Sequence, residues 1–287
     1  VWISAVLICD MPPDKPGTQM IHQWFNNFIM RFDSALQSEI SQDNVERVFT
    51  VSPFHSPRYG YPSWIRITSI DSRLNQLLTE HLPELCNNHL ELDNGQKIQV
   101  TQVHLPETLP PFLKNAANID RFNPLTWIGH SNPTQLISTI MQMPLSYKLK
   151  LFFHTPTSLR THSPSAYIKN NLLPLPQQIF ETYIRRWQTL TSSVPIIALS
   201  EFLGEYTRLG QYSLRTYNVD GWRWGNVTGF TGYADYVFAG NRYLPTELAR
   251  DRDHLIRTCY ILASLAFFVG TGQLTSFGMG QTLPIFI

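Results

Sequence analysis

The chain has 287 residues, 43% of them hydrophobic and 13% aromatic, with 22 Lys and Arg against 21 Asp and Glu for a formal net charge of +1. This composition excludes a disordered or fibrous chain and is long enough for two ordinary domains or one large one. Three cysteines, Cys9, Cys86 and Cys259, are odd in number and far apart, which argues against a disulfide framework or a zinc site and fits a reducing, cytoplasmic compartment.

The opening stretch "VWISAVLI" is too short to span a bilayer and reads as a buried strand. After the punctuation "MPPDKPG" the spacing predicts a helix from about Gln19 to Ser38. Strands "RVFTVSPF" and "SWIRITSI" follow, then a helix "DSRLNQLLTEHL" with Asp71 as N-cap, and a strand "GQKIQVTQV". That order is the ferredoxin-like pattern. A Pro- and Asn-rich stretch places a domain boundary near residue 106, with a linker region of about 106–145 in which Gln135 to Met143 forms a short helix. The second half starts the same cycle again. "YKLKLFFHT" alternates as a strand does, "PLPQQIFETYIRRWQTL" is a helix with its prolines at or before the first turn, and "YSLRTYNV" and "GFTGYADYVF" are strands. A helix from about Thr246 to Phe268, a glycine-rich loop and a last strand "GQTLPIFI" complete it. The fold expected is therefore α+β, with two tandem ferredoxin-like domains at 1–105 and 106–287; one mixed sheet is the other reading the pattern allows.

Charge is unevenly spread. Nine basic residues face thirteen acidic ones up to Pro144, and thirteen face eight from Leu145 onward. A cationic half suits a polyanionic partner, as it also suits an ordinary solvated surface. Arg185 and Arg186 are adjacent on the helix "IFETYIRRWQTL", where forked donors can grip phosphates. Arg250, His254 and Arg257 share one side of the last long helix, which runs into the loop "FFVGTGQLTSFGMGQ". Gly270, Gly272, Gly278 and Gly280 fit neither a P-loop nor a dinucleotide fingerprint, because no Lys is present and the third glycine of the latter would fall on Thr275. They mark a place where some other backbone comes close, or simply tight turns. "GWRWGN" sets Arg223 between Trp222 and Trp224, which reads as a stacking pair or as core.

His22 lies about 85° from the centre of the apolar stripe Ile21, Phe25, Phe28, Phe32, Ala35 and Leu36, at the edge of the buried face. The helix N-terminus disfavours added positive charge there, which suits a general base; a boundary histidine bonded to its neighbours is the alternative. His55, His154 and His162 lie in loops or at strand ends. Metal-hydrolase spacings and a Gly-x-Ser-x-Gly elbow are absent from the sequence.

Taken in order, "FTVSPF", "FFHTPTSLR", "LPLPQQIFETYIRRW", "VTGFTGYADYVF" and "FVGTGQLTSFGMGQ" resemble the CRISPR-associated repeat-processing endoribonucleases, the "Cas six" family of the repeat-associated RNA-binding superfamily. The resemblance implies metal-independent cleavage of CRISPR repeat RNA that leaves a 2′,3′-cyclic phosphate and a 5′-hydroxyl, without cofactor. The protein would keep the repeat hairpin and join other Cas subunits, away from membranes. It implies His22 as base or acid and, as a second catalytic residue, Arg31, where some members place a helical tyrosine. Arg160, Arg185 and Arg186 become RNA-binding positions, with Arg250, Arg257, Gly270, Gly272, Gln273, Gly278 and Gly280 forming a cradle against the domain interface and the RNA. Two departures stand out. "SEISQDN" holds no second histidine, and Gln19 stands where an arginine often precedes the first. A hairpin-binding subunit without useful cleavage, or one that coats spacer RNA, is the alternative expectation.

Overall fold

The structure is a computed structural model that describes residues 1–42, 48–114, 119–161, 169–191, 197–219 and 226–287. Its chain contacts divide it into two compact units. One comprises Val1–Asn132 with Leu274–Met279, the other Pro133–Gln273 with Gly280–Ile287.

In the first unit, β1 (Trp2–Cys9) leads to α1 (Thr18–Phe32) and α2 (Ser34–Ile40). Then come β2 (Phe49–Val51), β3 (Ser63–Ser69), α3 (Ser72–His81), β4 (His89–Glu91), β5 (Lys97–His104) and β6 (Gly129–Ser131). The sheet order is β2-β3-β1-β5-β4, antiparallel throughout, and β6 pairs with the start of β1 while β5 pairs with its end. Without the short β4 and β6 this is the ferredoxin-like arrangement expected.

The single helix expected from Gln19 to Ser38 is two. Asp33 leaves the helical region (φ −152°, ψ 87°) and its carboxylate accepts from Leu36 N at 2.9 Å, ending α1 and capping α2. Asp71 caps α3 as read from the sequence, accepting from Leu74 N at 2.8 Å.

Alternation along the strands divides their side chains between two faces. Ile3, Ala5, Leu7, Ile65 and Ile67 meet the apolar face of α1 and α3 in one core. On the opposite face Ser4 and Arg66 lie under Trp127, which is fully buried. Arg66 donates from Nε to Ser4 Oγ at 2.8 Å and to the Trp127 carbonyl at 3.3 Å. Trp127 and the described residues around it thus cover the part of the face where Ser4 and Arg66 lie. Gly129 makes this possible, because a Cβ there would sit 2.6 Å from Pro110.

The second unit contains α4 (Pro133–Gln142), β7 (Lys148–Thr157), the small hairpin β8 (Leu159–Thr161) and β9 (Lys169–Asn171), α5 (Pro176–Thr191) and α6 (Ile197–Glu205). They are followed by β10 (Thr207–Val219), β11 (Val227–Phe238), α7 (Thr246–Val269) and β12 (Thr282–Phe286). Its sheet runs β10-β11-β7-β12, all antiparallel, which repeats the ferredoxin-like order of the first unit. Buried Ile179, Phe180 and Tyr183 of α5 and the long apolar run of α7 form the core with Leu149, Leu151 and Phe153 of β7. No described helix is long and apolar enough to cross a membrane.

Candidate functional site

The candidate site of the first unit is built around His22, five residues into α1. Its neighbours come from β2 and from the returning segment 274–279, which includes a turn of 3₁₀ helix at Thr275–Phe277. Nδ1 of His22 lies 2.9 Å from the carbonyl oxygen of Ser276. A carbonyl can only accept, so Nδ1 carries a proton that it donates. In the neutral imidazole the basic lone pair is then on Nε2. The ring is also held against Phe277, with centroids 3.9 Å apart, and faces Phe49 at 6.0 Å and 13° between planes. One hydrogen bond and two aromatic rings fix the tautomer and orientation that a proton-transfer group needs.

Gly278 explains how this segment fits. Its φ is +85°, and a Cβ would meet Val51 O at 2.7 Å and Pro53 N at 2.8 Å. Any side chain would push the Ser276 carbonyl away from the imidazole. Arg31 does not join this group, since nine residues at 1.5 Å place it about 13 Å along α1. It is exposed, its guanidinium 5.3 Å from the Phe32 ring.

The adjacent arginines of α5 part company. Arg185 is exposed, whereas Arg186 is buried and donates from Nη1 to the carbonyls of Val269 and Gly270 (3.1 Å) and from Nη2 to that of Gly272 at 3.4 Å. These are carbonyls at the end of α7, which a cation satisfies well. With its Nη donors turned to the main chain, Arg186 is placed to hold the end of α7, a structural role that differs from the phosphate grip expected of it. Spacing could have shown this, as Ile179, Tyr183 and Arg186 recur at helical intervals on the buried face. Arg257 is similarly engaged, donating to the carbonyls of Ile140 at 2.5 Å and Met143 at 3.1 Å where α4 ends. Arg250 and His254 are exposed. Arg160 stands on β8 opposite Asn170. His162 and the segment "GWRWGN" up to Gly225 lie outside the described residues.

The stems of the glycine-rich loop are knitted into the second unit. Thr271 N donates to Gly280 O at 2.8 Å, Gly280 N to Pro156 O at 2.9 Å and Gln273 N to Ser158 O at 3.0 Å. Gln273 Nε2 also reaches Ser158 Oγ at 2.8 Å. Gly270 ends α7 with φ +73°, and Cβ atoms at Gly272 and Gly280 would fall 2.3 Å from Ser158 O and 1.9 Å from Thr271 O. What lies close to these glycines is the protein's own backbone, so their number does not require a nucleic acid. Beneath them Tyr183, Thr271 and Thr282 form a buried chain of hydroxyls, at 2.5 Å and 2.6 Å. Desolvation pushes the Tyr183 hydroxyl pKa well up, so it stays protonated. The sequence reading missed the aromatic walls of His22 and the carbonyl of Ser276; a main-chain acceptor has no residue signature.

These features define a two-unit α+β protein of ferredoxin-like repeats with an oriented histidine on the first helix. Residues 151–282 match the family model described as CRISPR-associated endoribonuclease Cas6. Comparison with curated proteins gave no match. Among solved structures, the product complex of a Thermus thermophilus Cas6 is 21% identical, with 99% of this chain and 100% of that one covered and a TM-score of 0.74. A Cas6-related protein from Pyrococcus furiosus is 10% identical, covering 99% and 98%, with a TM-score of 0.58. A structure described as a RAMP protein binding different RNA substrates is 9% identical, covering 99% of each chain, with a TM-score of 0.56. The second half of the chain is thus similar to the Cas6 family, and the whole chain shares the fold of the solved Cas6 structures.

Proposed function

We propose that the protein cleaves CRISPR repeat RNA at a single linkage, without metal, and then retains the hairpin. The observation that carries this reading is the Nδ1–H bond from His22 to Ser276 O, which assigns the basic nitrogen of the neutral ring to Nε2. As base, His22 takes the proton of the ribose 2′-hydroxyl; the oxygen then forms a bond to phosphorus as the bond to the 5′ oxygen breaks. The products are a 2′,3′-cyclic phosphate and a 5′-oxygen that takes up a proton. As acid, the imidazolium supplies that last proton instead, and solvent water takes up the 2′-hydroxyl proton. Arg31, expected from the sequence to be catalytic, keeps that role in this reading as a cation for the developing phosphate charge, and Arg160, Arg185 and Arg250 are the proposed RNA ligands. Association with other Cas subunits in the cytoplasm is part of this reading.

Incubation of end-labelled repeat RNA with the protein in EDTA is the test. A cut that yields a cyclic phosphate and is lost in His22→Ala, with RNA affinity retained, supports the proposal. Tight binding of intact RNA by the unaltered protein would favour the non-cleaving hairpin-binding subunit. The lack of a second histidine in "SEISQDN" speaks for that role.

A further inference from the structure

The first unit carries an aromatic and cationic surface that the cleavage chemistry does not use. It sits on the turn "PRYGYP", residues 57–62. Arg58 and Tyr61 bond to each other's main chain, N to O at 3.2 Å and 3.0 Å, so Tyr59 and Gly60 form a two-residue hairpin turn. Both have positive φ, 52° and 80°, which makes the turn type I′. The first central position of such a turn favours Asn, Asp or Gly; an aromatic side chain there is strained. Tyr59 is nonetheless 68% exposed, so burial does not repay the strain. Strained residues that packing does not explain concentrate at functional sites.

What surrounds Tyr59 identifies the ligand chemistry. Its ring lies 4.7 Å from that of Phe122, and the guanidinium of Arg58 is 5.1 Å from the Tyr59 centroid and 5.0 Å from that of Phe122. Arg121 lies 5.0 Å from the Phe122 centroid. The acidic residue present, Asp120, accepts from Tyr61 Oη at 2.7 Å and from Phe122 N at 2.9 Å, which ties the two segments together. Pro57 and Pro62 stiffen the turn on either side. Among the described residues of this cluster, two cations and one anion stand beside an open aromatic ring, which matches a ligand with a flat face and a negative charge. An apolar peptide would find cations at the rim of every ring.

We propose that Tyr59, Phe122, Arg58 and Arg121 form a platform for an unpaired RNA nucleotide. The base stacks on Tyr59 and its phosphates meet the two guanidiniums. The proposal rests on the RNA-processing reading for its biological context.

The test uses the full chain and two labelled probes: a ten-nucleotide RNA without self-complementarity, and a repeat hairpin trimmed of its flanks. Glycine suits the backbone at this position, so Tyr59→Gly removes the ring without endangering the fold. It should weaken binding of the single strand by about tenfold and leave the trimmed hairpin unchanged. Tyr59→Phe should bind like the unaltered protein, and Arg58→Ala with Arg121→Ala should lower the salt slope for the single strand. Unaltered single-strand affinity in Tyr59→Gly, or no single-strand binding by the parent protein, overturns the platform. Tyr59-dependent single-strand binding without hairpin binding would instead overturn the repeat-processing reading and leave the platform standing.

Discussion

Replacing Arg185 and Arg186 one at a time should separate RNA affinity from stability, although the two residues are chemically identical and adjacent. Arg186 is 7% exposed and donates to the carbonyls of Val269, Gly270 and Gly272. A hydrogen bond from a charged donor is worth about 1.5–3 kcal/mol, and truncation leaves buried acceptors unsatisfied. Of the three contacts the one to Gly272 is long, at 3.4 Å, and weak. Two strong bonds therefore dominate, and Arg186→Ala should cost about 3–5 kcal/mol, or roughly 10 °C in Tm. Arg186→Lys should recover little of this, since an ammonium cannot fork between carbonyls. Exposed Arg185→Ala should stay within about 0.5 kcal/mol of the parent and lower the salt slope of RNA binding by about one. Thermal denaturation and a salt titration with labelled repeat RNA read both effects. An Arg186→Ala protein of parental Tm that lost affinity and salt slope would refute the assignment of this side chain to the main chain.

Three other substitutions or titrations follow from named contacts. Gly280→Ala should destabilise by about 3 kcal/mol or more, since a Cβ meets Thr271 O at 1.9 Å, whereas Gly95→Ala, with φ +80° but open space, should cost only about 1–2 kcal/mol; denaturant midpoints compare them. With Ellman's reagent at pH 8 the native protein should show fast reaction at Cys86 alone, because Cys9 and Cys259 are buried and desolvation raises both thiols, Cys9 to about 12; three fast thiols would contradict this. Asp33 is held below the usual carboxylate range, chiefly by the Leu36 amide and also by Arg73. A depressed carboxyl contributes its stability above the unfolded pKa of about 3.9 and loses it as pH falls through the folded value, so hydrogen-exchange protection of the Leu36 amide should drop in acid and be flat with pH in Asp33→Asn.

The strand and helix order of both units was legible because each element has a periodic apolar face and, for α3, a capping side chain. Single residues that set boundaries were harder to weigh. Asp33 was read as part of one helix because the apolar stripe continues across it through Leu36, and only the carboxylate's bond to Leu36 N reveals the break. β4 and β6 are three residues each and carry no alternation to find; β6 exists because β1 offers it an edge. His22 could be picked out as a boundary residue, but its partner is the carbonyl of Ser276, more than 250 positions away in sequence. The glycines were conspicuous for a true reason, close backbone approach. The sequence could not say that the approaching backbone is the protein's own.

The closed face of the first unit restricts how that unit can meet RNA. Ferredoxin-like modules that read single strands present aromatic side chains on the open face of the sheet, where two or three bases stack. Here that face carries Ser4 and Arg66 beneath Trp127, and Arg66 is fully buried, with its donors turned to Ser4 and the Trp127 carbonyl. Opening it would expose Trp127 to water and strip a buried guanidinium of its acceptors, a cost of several kcal/mol that one stacked base would not offset. Contacts from this unit must then come from helix ends and turns, where His22 and the strained Tyr59 stand. Trp127→Ala should therefore unfold or loosen the unit without creating a new stacking surface. A folded Trp127→Ala protein that bound a single strand more tightly than the parent would mean that Trp127 and the segment around it act as a removable cover over an RNA-binding sheet.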